Sequence, residues 1–482
     1  MTPNQEPDFR RKVLSSFAWM GSAQFFGQLI TWASTILVIR LLEPSDYGVM
    51  AMATVFLSFL LMLSDLGVGA AIVQADEINQ DEARAIQGFI VLFNVAGFAL
   101  TIAGSSLIAA FFNEPQLVPI LNVLSSCFIL MIFYVYPQAM LQRGMHYDRK
   151  AKVDFLTLIT GAFVSITCAL LGLGVWSLVA GTISTHAMRA VGCNIAWRGA
   201  PLPRFSLSHA STFLRFGGAV IASRILWFLY SNIDVAIAGK LLGKELVGIY
   251  SVALTLSWLP LRKIMPIVSQ VSFSAFSRIQ NDRERVGRNV IRSIRYSFAL
   301  FLPVFLGIAL VAPDGIPIAL GEQWTLVTVP LQLICLILPL RAIVAVISPA
   351  VFGVGQPLVN VINSAIVLPL MAIAFYLGAK SGLVGLASAW LVAYPIAFAI
   401  ITIRSLPVLG VSWRGVWQSL RISLLAGVAM VGAVICLQYA TQEATPLVRL
   451  IASVVCGVTV YLGTFHLADR KAIDELMGLF KR

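Results

Sequence analysis

Long apolar runs occupy most of this sequence and restrict its fold more than any other feature. Inside a bilayer every backbone N–H and C=O must be bonded within its own segment, so about 20 consecutive apolar residues predict a spanning helix. Only 12% of the 482 residues are charged and the mean hydropathy is +0.87, whereas soluble domains are about 25% charged. The runs centre on residues 15–39, 48–73, 87–112, 117–141, 155–173, 175–197, 213–239, 246–273, 296–320, 327–353, 360–379, 382–403, 419–440 and 446–467. They predict an all-α integral membrane protein with about 14 transmembrane helices.

The positions of the cationic residues predict how these helices cross the membrane. Short cytoplasmic loops collect Lys and Arg, and most of the 34 cations fall at the two termini and in every second turn. One such turn is predicted to hold Arg189, Arg198, Arg204 and Arg215. The first run is too long for a secretory signal and lacks a small-residue cleavage site, so we expect it to be retained. The predicted location is a bacterial inner membrane, crossed many times, with both termini in the cytoplasm.

The net charge of +12 is explained by this one-sided distribution. Cations on the cytoplasmic face attract anionic lipids, so we expect those lipids, and not nucleic acid, as partners of the basic surface. Arg285, Arg288, Arg292 and Arg295 recur at helical spacing and share one face. That face predicts an interfacial anchor to anionic lipid, with attraction of pyrophosphate headgroups as the alternative.

Two segments 200 residues apart resemble each other and predict an internal repeat. Leu41–Ala53 aligns with Leu241–Ala253 through both Leu pairs, the central Gly and the final Ala. Both copies begin on the same membrane side, so the halves are predicted to be parallel, pseudo-symmetric repeats, which is a transporter architecture. We predict a six-helix bundle at 1–200, a cytoplasmic linker at 201–212, a second six-helix bundle at 213–404, and a helix pair with a cytoplasmic tail at 405–482.

The motifs of the main enzyme and cofactor classes are missing from the sequence. Gly239–Leu241 and Gly243–Glu245 contain Gly-Lys pairs but lack the Ser or Thr of a phosphate-binding loop. The four histidines and six cysteines are scattered without metal-ligand spacing. The predicted outer loops are only a few residues long, which leaves no room for the catalytic groups of a glycosyl-transferring or polymerising enzyme. We therefore expect no enzyme activity, no metal and no resident cofactor.

Five charged residues are predicted to lie within spanning helices: Asp65, Arg224, Arg262, Lys263 and Arg341. A charge at that depth costs about 2.5–3.5 kcal/mol on insertion scales, so it persists mainly where it faces water, a partner or a substrate. Four bases against one acid favour a cavity for an anionic ligand such as a diphosphate, because guanidinium groups donate paired bonds to phosphate oxygens. The alternative is an ion pair of Asp65 with Arg262 or Lys263 that only closes the cleft between the halves.

Three polar residues are further candidates. Gln24 and Gln28 share one face of the first span, and they either bond sugar hydroxyls or pack against another helix. Asp234 lies close to the outer end of the seventh span. It is either a gate contact or an interfacial residue.

Several motifs match a known family. Leu41–Gly48, continuing through Asp65-Leu66-Gly67 to Ala71–Gln74, resembles the N-terminal signature of polysaccharide-exporting flippases. These flippases form the Wzx-like group of the multidrug/oligosaccharidyl-lipid/polysaccharide exporter superfamily. Gly174–Val179 and the turn at Gly353–Pro357 match the same group. The sequence is most similar to the branch of colanic-acid and succinoglycan exporters.

This resemblance implies a V-shaped, alternating-access fold like that of the MATE multidrug exporters, with a cationic central cavity. It implies that an undecaprenyl-pyrophosphate-linked oligosaccharide is carried from the cytoplasmic to the periplasmic leaflet for exopolysaccharide, O-antigen or capsule synthesis. Coupling to H⁺ or Na⁺, and a polymerase and chain-length regulator as partners, are implied as well. On this basis the candidate contacts to pyrophosphate or an acidic sugar are Arg224, Arg262, Lys263 and Arg341, and the candidate coupling or gating acid is Asp65.

Three other functions remain open at this point. An ion-coupled multidrug exporter of the same superfamily would carry an organic cation and need buried acids, whereas Asp65 is the one clear mid-span carboxylate in the sequence. A membrane polymerase or ligase is disfavoured by the short outer loops. A membrane scaffold would have no need of charges within its spans.

Overall fold

The computed structural model describes residue 27 and residues 30–65, 72–73, 77–205, 210–278 and 282–468. Of these, the backbone alone is described at 64–65, 210–224, 262–275 and 278. The described part of the chain is built from α-helices connected by short turns, which confirms the predicted all-α class. It divides into two compact units, each with its own packed helices.

The first unit comprises Met1–Ile225 and Gly243–Gly248. Its helices are α1 (Ile30–Leu41), α2 (Pro44–Asp65), α3 (Gln80–Phe112), α4 (Leu117–Leu124), α5 (Ser126–Arg143), α6 (Tyr147–Leu170) and α7 (Val175–Ala196). Local chemistry sets some of these limits. Asn79 begins α3 with a capping box shared with Glu82, and Asn113 ends it in the left-handed conformation at φ 57°.

The second unit comprises Leu226–Leu242 and Ile249–Arg482. Its helices are most of α8 (Ala210–Arg278), then α9 (Arg283–Leu320), α10 (Thr328–Gly353), α11 (Pro357–Ala379), α12 (Gly382–Ser405), α13 (Trp413–Ala440) and α14 (Pro446–Ala468). Gly243 interrupts α8, since its φ of 77° and ψ of 172° are not helical. The core of this unit includes the fully buried side chains of Val290, Ile294, Ile343 and Ile347.

The two copies of the predicted repeat touch each other within the first unit. A Cβ atom added to Gly48 would lie 1.7 Å from the Lys244 carbonyl oxygen, and one added to Gly248 would lie 1.7 Å from the Pro44 carbonyl oxygen. The contact is therefore reciprocal, because each glycine faces the residue four positions before the other. Lys244 also pairs with Glu114 at 3.1 Å. This symmetry supports the repeat predicted from the sequence.

Eleven helical segments of the described ranges are long and apolar enough to cross a membrane. This confirms a multi-pass membrane protein, while the number of fourteen spans remains a prediction. α7 is not among the eleven, although it has 22 residues, because His186, Arg189 and several hydroxyl side chains lower its hydropathy. Arg189 was expected in a cytoplasmic turn. It lies inside α7 instead, since the helix continues to Ala196.

α7 packs along α6 through small residues. A Cβ atom on Gly161 of α6 would meet the Thr185 hydroxyl at 2.2 Å, and one on Gly181 of α7 would meet the Ser165 hydroxyl at 1.7 Å. Small residues at such positions let two membrane helices approach closely. α6 is one of the eleven apolar segments, and α7 runs antiparallel beside it.

The last two helices pack against α9 in the second unit. Arg449 on α14 donates from Nε to Oδ2 of Asp314 on α9 at 2.7 Å, and a second bond joins its Nη2 to Oδ1. The Tyr461 hydroxyl donates to the Ala299 carbonyl at 2.8 Å. The helix pair is thus integrated with the second unit, and the predicted domain boundaries stay predictions.

Candidate functional site

Arg341 lies among four aromatic rings in the second unit. Its guanidinium carbon is 4.2 Å from the ring centroid of Trp258, 5.1 Å from that of Trp390, and 5.3 Å from those of Tyr230 and Tyr394. These are the distances of cation–π contacts, in which the electron-rich ring face attracts the cation. We call these five residues the arginine box.

The rings of the arginine box come from two helices. Tyr230 and Trp258 lie on α8, on either side of the interruption at Gly243. Trp390 and Tyr394 lie one turn apart on one face of α12, and they are 4% and 1% exposed. Because these rings belong to the packed interior, they fix the position of the half-buried arginine.

The guanidinium of Arg341 has no hydrogen-bond or ion-pair partner among the described residues. Aromatic ring faces neutralise part of its charge but accept none of its five N–H groups in the plane of the fork. A guanidinium with open donors inside a spanning helix can bind an anion. The arginine box is therefore chemically suited to a phosphate or a carboxylate.

A chain of hydrogen bonds connects the arginine box to Asp234. The Tyr250 hydroxyl donates to Oδ2 of Asp234 at 2.8 Å, and Trp390 Nε1 donates to the Tyr250 hydroxyl at 2.8 Å. The backbone N–H of Val235 donates to Oδ1 at 2.9 Å. Asp234 is 3% exposed and Tyr250 is fully buried. Trp390 thus serves both as a wall of the arginine box and as the end of the chain that holds the acid.

Two of the predicted site residues are brought together by the structure. Arg341 and Asp234 both lie in the second unit and are linked through Trp390. For four others the backbone is placed in α2 or α8 and the side chains lie outside the described part: Asp65, Arg224, Arg262 and Lys263. Gln24 and Gln28 lie outside the described residues. The roles of all eight stay predictions.

The aromatic members of the site were not predicted from the sequence. Tyr230 precedes Asp234 by four residues, and Trp390 precedes Tyr394 by four, so each pair shares a helix face. An aromatic residue one turn from a buried acid was a usable signal. Aromatic residues are also common in apolar helices, and the spacing alone gave no reason to connect α8 with α12.

The many membrane-length helices define the class of this molecule, a multi-pass membrane protein. The model of a family described as "Polysaccharide biosynthesis protein" matches residues 37–329, which is more than half of the chain. The protein belongs to this family. The family match confirms the resemblance predicted from the motifs.

Curated relatives match nearly the whole chain at low identity. An "Uncharacterized membrane protein in cps region" of Klebsiella pneumoniae is 25% identical over 476 residues, which cover 98% of each chain. "Lipopolysaccharide biosynthesis protein WzxC" of Escherichia coli K12 is 24% identical over 420 residues, covering 84% of this chain and 83% of the relative. The chain is thus similar in length and sequence to proteins of bacterial surface-polysaccharide synthesis.

A solved structure shares the fold. "Lipid II flippase MurJ, inward closed conformation" superposes with a TM-score of 0.76 and 15% identity, over 95% of this chain and all of that chain. At this identity the likeness shows the fold alone. It confirms the transporter fold expected from the resemblance.

Proposed function

We propose that this protein is a flippase, which moves an undecaprenyl-pyrophosphate-linked oligosaccharide repeat unit from the cytoplasmic to the periplasmic leaflet. The observation that carries the proposal is Arg341, a permanent cation within the helices that forms no direct ion pair with any described residue, although the carboxylate of Asp234 is near enough to attract it. Membership of a polysaccharide biosynthesis family supports a lipid-linked glycan as the cargo.

Energetic considerations favour a diphosphate at Arg341. Keeping a cation inside a spanning helix costs about 2.5–3.5 kcal/mol, and a hydrogen bond to a charged group returns about 1.5–3 kcal/mol. One or two bonds from the guanidinium fork to phosphate oxygens therefore offset the cost when cargo is bound. Arginine suits this role better than lysine, because its planar fork donates two parallel bonds.

Asp234 is our proposed site of coupling to an H⁺ or Na⁺ gradient. Its carboxylate is 3% exposed and is held by the Tyr250 hydroxyl at 2.8 Å. Burial in a low dielectric disfavours a charged carboxylate, so binding of a proton or a cation stabilises the buried group. Through Trp390, such a change is transmitted to the arginine box by a hydrogen bond of 2.8 Å.

The sign of the charge in the arginine box argues against a multidrug exporter. An organic cation entering this site would meet the positive charge of Arg341. The aromatic rings that could bind such a cation already contact the guanidinium, at distances of 4.2 to 5.3 Å from its carbon to the ring centroids. Like charges at such distances repel, whereas an anion is attracted. The cargo class is therefore anionic.

The remaining parts of the proposal concern location and partners. We place the protein in a bacterial inner membrane with both termini in the cytoplasm, because most cations then lie on the cytoplasmic side. That side would contact anionic lipids. A polymerase and a chain-length regulator of the same pathway would use the flipped repeat unit at the periplasmic face.

The proposal is tested by flipping assays on the purified protein in liposomes. The substrate is undecaprenyl pyrophosphate bearing a fluorescent oligosaccharide, and the measured quantity is the rate at which fluorophore becomes accessible to an impermeant quencher. R341Q is expected to slow flipping about tenfold or more, because it removes charge-assisted hydrogen bonds. R341K should show an intermediate rate, since the charge remains and the fork is lost.

R414Q is the matched control for these variants. Arg414 is exposed at the start of α13, and its replacement removes the same charge without touching the arginine box. We expect a rate equal to that of the wild type. Flipping by R341Q at the rate of R414Q would disprove the assignment of Arg341, and a wild-type protein that does not flip this lipid would disprove the function.

A further inference from the structure

A polar stripe runs along α7 in the first unit. Thr182, Thr185, His186 and Arg189 recur at spacings of three and four residues, so their side chains share one face of the helix. All four are half-buried. The proposed function assigns no role to this stripe.

The stripe points away from the apolar side chains that α7 exposes. Val191 and Ile195 are 55% and 70% exposed. At 3.6 residues per turn they lie roughly 200° and 240° around the helix from Arg189. Arg189 is therefore not on the face of α7 that suits contact with lipid.

Tyr134 of α5 lies against the stripe. Its hydroxyl is 3.1 Å from Nδ1 of His186, within hydrogen-bond distance, and the Arg189 guanidinium carbon is 5.8 Å from the centre of its ring. Beneath these groups, Tyr134 packs in a buried cluster with Val153 and Cys193. Three polar groups from two helices are thus held together on a rigid base.

Two buried polar atoms near the stripe lack a hydrogen-bond partner among the described residues. Nε of Arg189 is buried without a hydrogen bond, and so is the hydroxyl of Thr157 on α6, a residue that is 1% exposed. In the α6–α7 packing, Gly161 faces Thr185 and Gly192 faces Val153. This antiparallel register places Thr157 at the level of Arg189. An orphaned donor and an orphaned hydroxyl at one depth are expected where a ligand completes the bonding.

No acid among the described residues pairs with Arg189. Asp154 lies one turn before Thr157 on α6, but its carboxylate accepts from Lys150 Nζ at 2.6 Å. The charge of Arg189 is therefore open to an external anion. Because the guanidinium rests on an aromatic ring, its N–H groups can still donate to oxygen atoms.

We propose that Tyr134, His186 and Arg189 form a second oxyanion site, in the first unit, which binds an anionic group of the cargo. This inference rests on the proposed function. The oxyanion is either the carboxylate of an acidic sugar or a phosphate of the lipid carrier. Both offer oxygen acceptors to a guanidinium and an imidazole. The Thr182 hydroxyl, which donates to the Leu178 carbonyl at 2.8 Å, can still accept a bond from a neighbouring sugar hydroxyl.

Binding measurements on the full-length protein in detergent micelles test the proposal. Three probes are titrated: undecaprenyl pyrophosphate without sugar, a free oligosaccharide containing glucuronic acid, and the same oligosaccharide with glucose in that position. R189Q is expected to weaken binding of the anionic probe about tenfold, as expected for loss of charge-assisted bonds. R198Q is the matched control, because Arg198 is exposed in the turn after α7.

The pattern of losses identifies the source of the oxyanion. Weaker binding of the glucuronic acid probe alone assigns the carboxylate, and weaker binding of undecaprenyl pyrophosphate alone assigns the phosphate. R189K keeps the charge and is expected to lose affinity to a smaller extent, which covers the case in which R189Q fails to fold.

Two outcomes count against the proposal. If R189Q and R189K bind every probe as tightly as R198Q does, the α7 site is wrong and the proposed function is unaffected. If the wild-type protein binds none of the probes, the proposed function fails and the α7 site fails with it.

Discussion

Replacing Gly48 with alanine is expected to force apart two backbone segments of the first unit. The new Cβ atom would lie 1.7 Å from the Lys244 carbonyl oxygen, while real Cβ atoms essentially never approach closer than 3.0 Å. The segments must therefore separate by at least 1.3 Å, the difference between these distances. A carbonyl in the main chain cannot rotate out of the way as a flexible side chain could.

The expected cost follows from two opposing effects. Overpacking of this kind costs about 1–3 kcal/mol, and the fixed carbonyl places Gly48→Ala at the upper end. Alanine in place of glycine in a helix returns up to about 1 kcal/mol. The net loss is thus about 2 kcal/mol, which lowers the unfolding temperature by roughly 4–8 °C for a unit of about 200 residues.

Thermal unfolding of the detergent-purified protein, followed by tryptophan fluorescence, measures this loss. Gly432→Ala is the control, since a Cβ atom at this α13 position meets nothing within 4 Å. Gly248→Ala should match Gly48→Ala, and the double variant should lose less than the sum, because both changes open the same contact. An unfolding temperature of Gly48→Ala equal to that of Gly432→Ala would refute the close approach.

Two other variants probe the second unit. Tyr250→Phe removes the hydroxyl that donates to Asp234 and accepts from Trp390, so we expect a loss of about 1–3 kcal/mol in the free energy of unfolding. The rate of flipping should also depend less on an imposed H⁺ or Na⁺ gradient. Unchanged gradient dependence in liposomes would contradict coupling through Asp234. Arg449→Gln leaves the Asp314 carboxylate, which is 8% exposed, without its cation. Thermal unfolding should therefore begin at a lower temperature than in the wild type. An unaltered unfolding curve would show that the ion pair does not stabilise the α9–α14 contact.

The sequence was sufficient to predict the helical membrane class and the family, and it named Arg341 and Asp234 as candidates whose roles stay predictions. Long apolar runs predict membrane-spanning helices, because a backbone in a bilayer must form its hydrogen bonds within its own segment. Arg341 was recognisable for a related reason, since a mid-span charge has few explanations. The match between Leu41–Ala53 and Leu241–Ala253 was visible in the sequence. The structure was needed to show that Gly48 and Gly248 each face the other segment.

The surroundings of Arg341 could not be predicted from the sequence. Tyr230 and Tyr394 are 164 positions apart, and tertiary packing alone decides that both face one guanidinium. The distribution of cations likewise misplaced Arg189, because cations collect in cytoplasmic turns and its charge suggested a position beyond the end of the helix. In the structure a tyrosine from α5 and a continuing helix keep it within α7.

The polarity of α7 has a consequence for how the protein is made. A segment that contains His186 and Arg189 has too little favourable transfer free energy to enter the bilayer from the translocon by itself. An arginine at the centre of a spanning helix alone costs about 2.5–3.5 kcal/mol. α6 is apolar, and Gly172 and Gly174, with φ of 72° and 53°, fold the chain sharply between the two helices. We expect α6 and α7 to partition together as a helical hairpin, in which the first helix supplies the insertion free energy that the second one lacks.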